Sequence, residues 1–319
     1  MILGAGGFLG RHLIASGKCP VRVKAVARRR RSDRDLRETD VVWLVADLLS
    51  PGSLDDILEP DDVVLNLAFL YEGGDRENIR LVENVTAACL RARVARFVHC
   101  SSAVVVGATK ARRVTEETLC DPLTKYERIK SDLERRVLSA HFRGLDVAIV
   151  RPTAIVGPGG HNLRKLAQSL ANGNRVANYL RACLFDKRPM HLVPAGTVVA
   201  ALLHIAFMPP PAGGNVYIVS SDDDPSNNFK TVETILMKSL GLTPRRVPLI
   251  PVLKRALPVL LRVLGRSETA PDRNYDAAKL RATNFRPVES VEGAVREFGR
   301  SITNEIIAVR NGNRKQRSL

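Results

Sequence analysis

Gly4-Ala5-Gly6-Gly7-Phe8-Leu9-Gly10 stands between a short apolar run, Met1 to Leu3, and a helical pattern carried by Phe8, Leu9, Leu13 and Ile14. A strand, a glycine turn and a helix in that order bring helix amides to face an anion. Glycines at 4, 7 and 10 permit a tight turn, close backbone approach to a pyrophosphate and close helix packing. The spacing is Gly-x-x-Gly-x-x-Gly, because Leu9 stands where Gly-x-Gly-x-x-Gly would need a glycine. Further along, apolar strand-like runs at 21–26, 41–45, 63–68, 97–100 and 147–150 alternate with helical patterns. That alternation predicts a parallel sheet covered by helices, an α/β chain. With 319 residues, 45% of them hydrophobic, the chain has enough apolar mass for this core and a second lobe.

Three further features fall where redox chemistry on such a sheet needs them. In Lys125-Tyr126-Glu127-Arg128-Ile129-Lys130 the tyrosine and the last lysine are four apart, hence on one helix face. An ammonium there is expected to lower the phenol's pKa and make Tyr126 a usable general acid or base for alcohol–ketone interconversion. Arg96-Phe97-Val98-His99-Cys100-Ser101-Ser102 is an apolar strand running into two serines, at the sheet edge where ligands bind. Arg151-Pro152-Thr153-Ala154-Ile155-Val156-Gly157-Pro158-Gly159 is a strand ending in a loop punctuated by Pro and Gly, a further candidate for function.

Together these motifs resemble the extended short-chain dehydrogenase/reductases, the nucleotide-sugar epimerase/dehydratase group, to about residue 300. The resemblance implies a Rossmann-type doubly wound parallel sheet with a small C-terminal substrate-binding lobe. It also implies site residues. Gly4, Gly7 and Gly10, with Gly6, Phe8 and Leu9 between them, match the phosphate-binding turn. Asp47-Leu48 matches the adenine-side pair, and Ala68 the alanine of the fourth strand beside the cofactor. Asn78 matches a helix asparagine that supports the active site. Ser102 matches the catalytic Ser/Thr, and Tyr126 with Lys130 the acid/base pair, the lysine also binding the nicotinamide ribose. Arg151 to Gly159 match the substrate loop, which puts Pro152 on the cofactor side and Thr153 on the substrate side; Ala103 and His161 are further substrate candidates.

The departures bear on the substrate more than on the cofactor. The family's first strand is longer than Met1 to Leu3, so the strand is shortened or the start is misplaced, and a longer N-terminus is expected to raise the melting temperature. Val106 replaces the usual tyrosine before Gly107, and Ala154 replaces a substrate-contacting asparagine. His191-Leu192-Val193-Pro194-Ala195-Gly196 lacks the usual aspartate. Ala103-Val104 follow Ser102 where 4,6-dehydratases carry an Asp-Glu pair, which argues against water elimination.

The sequence carries 49 Lys+Arg against 33 Asp+Glu, a formal charge of +16. Its densest basic cluster is Arg28-Arg29-Arg30-Arg31, just after the second strand, near the adenosine ribose of this fold. Arginine suits a 2′-phosphate, so NADP(H) is favoured over NAD(H), with Arg28 as the candidate contact; a plain solvated basic loop is the alternative. The other basic residues are spread along the chain without interleaved aromatics, and nucleic acid is not expected as a partner. A basic cleft would help capture a nucleotide sugar's diphosphate. Residues 249–264 are strongly apolar but interrupted by Pro251, Pro258, Lys254, Arg255 and Arg262. They are too charged to span a bilayer; they could lie on an anionic surface, though packing on the core or against a second copy in a homodimer ranks higher. Five scattered cysteines without a Cys-x-x-Cys pair read as reduced thiols of a cytoplasmic protein, and the isolated histidines offer no metal site. The expected organisation is a dinucleotide-binding domain over 1–160, a substrate-binding lobe over 161–309 interleaved with late strands of the sheet, and a basic disordered tail at 310–319.

The function so implied is an NAD(P)-dependent epimerase or ketoreductase acting on a nucleotide-linked sugar, for polysaccharide or glycan precursor synthesis. A reductase of a small apolar ketone or steroid-like molecule is a second reading, and a non-catalytic dinucleotide-binding protein a third.

Overall fold

The computed structural model describes residues 1–29, 41–209, 212–243, 249 and 272–316, with residues 306–316 described by backbone alone. Apart from residue 249, the 249–264 stretch lies outside the described residues, as do Arg30 and Arg31.

The strands in chain order are β1 (Ile2–Leu3), β2 (Val23–Ala27), β3 (Val41–Val45), β4 (Val63–Asn66), β5 (Arg96–Cys100), β6 (Arg113–Val114), β7 (Val147–Pro152), β8 (Ala154–Val156), β9 (Leu192–Pro194), β10 (Asn215–Val219) and β11 (Asn274–Tyr275). Seven of them form one all-parallel sheet in the order β10-β7-β5-β4-β1-β2-β3. β1 lies at the centre: Ile2 and Leu3 pair with Ala25 and Val26 on one side and with Leu65 and Asn66 on the other.

The helices α1 (Phe8–Ala15), α2 (Asp75–Ala92), α3 (Lys125–His141), α4 (Arg164–Asn172), α5 (Arg175–Phe185), α6 (Ala195–Phe207) and α7 (Phe229–Ser239) are followed by a short helix, Ala278–Ala282, and a closing helix, Val291–Gln316. Because side chains alternate faces along a strand, each buried strand feeds two cores. Val98, Ala148 and Val150 join Leu13 of α1 and Val198, Leu202 and Ile205 of α6 in one. Phe97, Val147 and Ile149 join Leu81 and Val85 of α2 and Leu133 and Val137 of α3 in the other. Arg96 ties the layers: its Nε donates to Asp146 at 2.7 Å, and its Nη1 donates to the carbonyls of Ile205 and Met208 at 2.8 and 2.7 Å. A guanidinium there satisfies carbonyls that a helix C-terminus leaves open.

A third apolar cluster stands apart from the sheet, built from Val156, Leu163, Leu192, Val232, Leu236, Val295 and Phe298. It lies where β8 and β9 pair in parallel. The closing helix continues through position 316, over positions the sequence reads as a disordered tail. The sequence signal there is weak because basic residues outnumber apolar ones.

Candidate active site

The C-terminal ends of β1, β2, β3, β4, β5 and β7 open on one cleft of about 910 Å³. Gly4, Gly6, Gly7, Phe8 and Leu9 border it. Gly4 has φ +77°, and a Cβ there would lie 2.9 Å from the Ala68 backbone, so only glycine lets β1 turn against the end of β4. Gly7 caps α1 with no side-chain hydrogen bond, leaving the helix start available to a ligand. Gly10 does not reach the cleft. A Cβ on it would meet the Ala5 carbonyl oxygen at 2.5 Å, so its part is close helix packing.

Arg28 follows β2 and Asp47-Leu48 follow β3, and all three line the same end of the cleft. The Asp47 carboxylate accepts from the Leu49 amide at 3.1 Å, which fixes the turn. Ala68 lines the cleft beyond β4. Its amide donates to Asn66 Oδ1 at 3.2 Å, and the Asn66 amide nitrogen lies 3.2 Å from Nδ1 of the fully buried His99. Burial first, and the Lys130 charge second, push the His99 imidazole down to about 3.

Ser102 and Tyr126 meet at the opposite end. Ser102 precedes the 3₁₀ turn Ala103–Val106 and lines the cleft together with the Tyr126 phenol. Tyr126 is presented by a well-specified helix start. The Glu127 amide donates to Thr124 Oγ1 at 3.2 Å, and the Thr124 amide donates back to Glu127 Oε2 at 2.9 Å. Such a capping box fixes where a helix begins. Lys130, one turn on, is buried; its ammonium donates to the Cys100 carbonyl at 3.2 Å and lies 4.4 Å from the Phe69 ring centroid.

The electrostatics correct one expectation. Burial, followed by Tyr71 and Cys100, raises the Tyr126 pKa, and only the Ser102 hydroxyl nearby lowers it. Burial likewise lowers that of Lys130. Desolvation outweighs the attraction expected between phenolate and ammonium, because the lysine is directed to a carbonyl and a ring rather than to the phenol oxygen.

Arg151 at the end of β7 does not enter the cleft. It donates from Nη2 to Glu134 Oε2 at 2.6 Å, a buried pair that locks α3 to β7. Beyond it, Pro152, Thr153, Ala154 and Ile155 form the far wall, with His161 and Asn162 at its margin.

Two other expected residues lie outside the cleft. Asn78 is buried in α2, where Oδ1 accepts from the Leu70 amide at 2.9 Å and Nδ2 donates to the Leu70 and Gly74 carbonyls at 3.0 and 3.2 Å. It staples the segment after β4 and touches no cleft space. Ala103 is turned into a small apolar cluster with Val106, Val114, Ile218 and Tyr275; Val104 lines the cleft in its place, because the 3₁₀ turn rotates successive side chains by about a third of a turn.

Among the lining residues that sequence reasoning missed are Phe69, Leu70, Tyr71 and Val104. Phe69 stands edge-on to Tyr126 at 5.4 Å, and Tyr71 lies parallel to it at 6.5 Å. The available signal was an apolar run, Ala68-Phe69-Leu70-Tyr71, continuing past a strand end into a loop. Among the described residues no His/Cys/Asp/Glu group could hold a metal ion.

A parallel seven-stranded sheet with a glycine turn, a strand-end serine and a Tyr-Lys helix facing one cleft defines a dinucleotide-dependent oxidoreductase architecture. The family model described as NAD dependent epimerase/dehydratase matches residues 1–205, and the chain belongs to that family. Sterol demethylase protein B from Methylococcus capsulatus (strain ATCC 33009 / NCIMB 11132 / Bath) is 35% identical over 172 residues, 50% of this chain and 52% of that protein. The chain spans about half the length of the curated relatives it matches. Among solved structures, UDP-galactose 4-epimerase superposes with a TM-score of 0.66 at 19% identity, over 96% of this chain and 98% of that one. RMD from Pseudomonas aeruginosa, complexed with NADPH, gives 0.64 at 19% identity, over 95% and 98%. At these identities the structural likeness shows the fold.

Proposed function

We propose that this chain interconverts an alcohol and its ketone with NADP(H), using Tyr126 as the proton donor and acceptor. One observation carries this reading: Ser102, Tyr126 and Lys130 share a single cleft with the Gly4–Gly7 turn and Arg28. The residues present fit a dinucleotide. The glycine cradle has no room for side chains at Gly4, the start of α1 carries no capping side chain, and Arg28 offers a cation beyond β2. Gly4, Gly6, Gly7, Phe8, Leu9, Asp47, Leu48, Ala68 and Pro152 would line that binding site, with Lys130 toward the nicotinamide ribose. When bound, the cofactor supplies or accepts the hydride.

The chain's own residues manage the proton and the orientation. Tyr126 gives a proton to the substrate oxygen or takes one from it. Its raised pKa keeps it protonated in the resting protein, the form that reduction of a ketone needs. Ser102 holds the reacting oxygen beside the phenol, Thr153 and His161 contact the substrate from the far wall, and Asn78 acts from outside through the segment it staples.

The sequence reading puts a nucleotide-linked sugar first, epimerised or reduced for glycan precursor synthesis, and the shared fold of UDP-galactose 4-epimerase is compatible with it. A specific observation favours the second reading, an apolar ketone. Phe69, Leu70, Tyr71, Val104, Ala154 and Ile155 bring apolar surface to the cleft, and the name of the sterol demethylase relative points to an apolar molecule. Retention of both Tyr126 and Lys130 speaks for catalysis over mere dinucleotide binding. Among the described residues no helix is long and apolar enough to cross a membrane; our proposal of a cytoplasmic enzyme rests on the scattered cysteines without a Cys-x-x-Cys pair. A thermal-shift series tests the assignment: NADPH alone, then NADPH with UDP-, GDP- or dTDP-sugars or with a steroid ketone. A shift with NADPH and a further shift with one substrate class is expected; no shift with either NADPH or NADH contradicts it.

A further inference from the structure

Tyr71 is 83% exposed, at the margin of a cleft whose other aromatic groups are packed. Its ring is nevertheless held in a defined place. It lies within 8° of parallel to the Tyr126 ring, and Phe69 stands edge-on to both, at 5.0 and 5.4 Å. The segment that carries it is fixed by the Asn78 bonds to Leu70 and by Glu77, which accepts from the Gly74 amide at 2.9 Å. Next to Ser102, Val104 leaves 37% of its surface open. An apolar ring exposed on a preorganised segment gains free energy when a ligand covers it, and little ordering entropy opposes that gain.

The charges point the same way. Among the described residues that line the cleft, the Lys, Arg, Asp and Glu side chains are Arg28, Asp47 and Lys130. Arg28 and Asp47 belong to the β2–β3 end, and the Lys130 ammonium is buried at the Phe69 ring. At the Tyr126 end the described wall therefore offers no exposed Lys or Arg to pair with a substrate diphosphate, whose recognition calls for charge-assisted hydrogen bonds.

We propose that Tyr71, backed by Phe69 and faced by Val104, is a specificity-determining residue that selects an apolar, ring-bearing alcohol or ketone, its ring covering one face of the substrate while Ser102 and Tyr126 take the oxygen. This rests on the oxidoreductase reading above. It makes the aromatic segment, rather than the Ser-Tyr-Lys group, the part that distinguishes a steroid-like ketone from a nucleotide sugar.

Initial rates of NADPH oxidation with androst-4-ene-3,17-dione, and separately conversion of UDP-galactose, test it on native protein, Y71S, Y71F and Y126F. The native protein is expected to reduce the steroid ketone and leave UDP-galactose unchanged. Y71S is expected to raise KM for the ketone about tenfold while kcat and NADPH affinity stay within about twofold. Y71F keeps the ring and is expected to keep KM. The exposure of Tyr71 makes either substitution compatible with folding, and melting curves confirm it. Steroid reduction abolished in Y126F but indifferent to Y71S would overturn the role of Tyr71 and leave the oxidoreductase reading standing. UDP-galactose conversion without steroid reduction would overturn the substrate class. Absence of NADPH oxidation and of sugar conversion alike would overturn both readings.

Discussion

The proposed reaction concentrates its chemistry in one hydroxyl, that of Tyr126. Substituting Tyr126 with phenylalanine removes the hydroxyl but leaves the ring against Phe69. Turnover should therefore fall by about a hundredfold or more while NADPH affinity changes little; stopped turnover and an isotherm on the same preparation check both. Unchanged turnover would remove Tyr126 from the mechanism. Arg28→Ala addresses the cofactor separately. A 2′-phosphate contact predicts that the NADP⁺ to NAD⁺ affinity ratio falls about tenfold or more, whereas a solvated arginine predicts no change. His99 belongs to the residue scale as well. Its folded pKa of about 3 lies below the ordinary 6.5, so its contribution to stability is complete above pH 6.5. That contribution is lost as pH falls through 6.5 toward 3, because the unfolded histidine takes a proton that the folded one refuses. The slope is at most about 1.4 kcal/mol per pH unit. His99→Asn keeps a hydrogen-bonding side chain without titration, and denaturant midpoints at several pH values should show the variant losing less stability across that window.

At the level of elements, the site depends on two attachments that touch no ligand. The buried Arg151–Glu134 pair fastens α3, and with it Tyr126 and Lys130, to the end of β7. Glu134→Gln leaves the guanidinium buried with a weakened partner and should cost about 3 kcal/mol in chemical denaturation. A loss below about 0.5 kcal/mol would show the pair to be dispensable. Asn78 fastens the segment 69–74 in the same indirect way, and Asn78→Ala should raise KM for the ketone more than it alters NADPH affinity. These attachments mark the limit of what the chain announces in advance. The glycine turn, the β5 serines and the Tyr-Lys helix were legible because each is a local pattern of fixed spacing next to a strand or helix signal. Arg151 read as part of a substrate loop, because a sequence does not show that a β7 side chain faces a helix instead of the cleft. Tyr71 and Val104 went unread because the apolar runs that hold them, 68–71 and 103–106, do not announce which of their side chains reach the cleft. The pKa order was misread for a related reason: burial, which decides the Tyr126 and Lys130 shifts, is a property of the folded packing and not of an i, i+4 spacing.

Across the whole molecule, the parallel sheet brings the ends of six strands to one edge, so residues from positions 4 to 162 share a cleft without being near in sequence. The chain carries 49 basic against 33 acidic residues, and a net positive charge favours anionic ligands. A dinucleotide phosphate is such a ligand, and its affinity should fall with ionic strength. The apolar Tyr126 end should confer no such salt dependence on a neutral ketone. The most direct test of the account is therefore transfer from NADPH to a steroid ketone, followed by NADPH absorbance with native protein and Y126F side by side. The account predicts NADPH oxidation by the native protein and its near-complete loss in Y126F with binding retained. Equal oxidation by both, or a native protein that binds NADPH and reduces no ketone, keto-sugar or steroid, would contradict it.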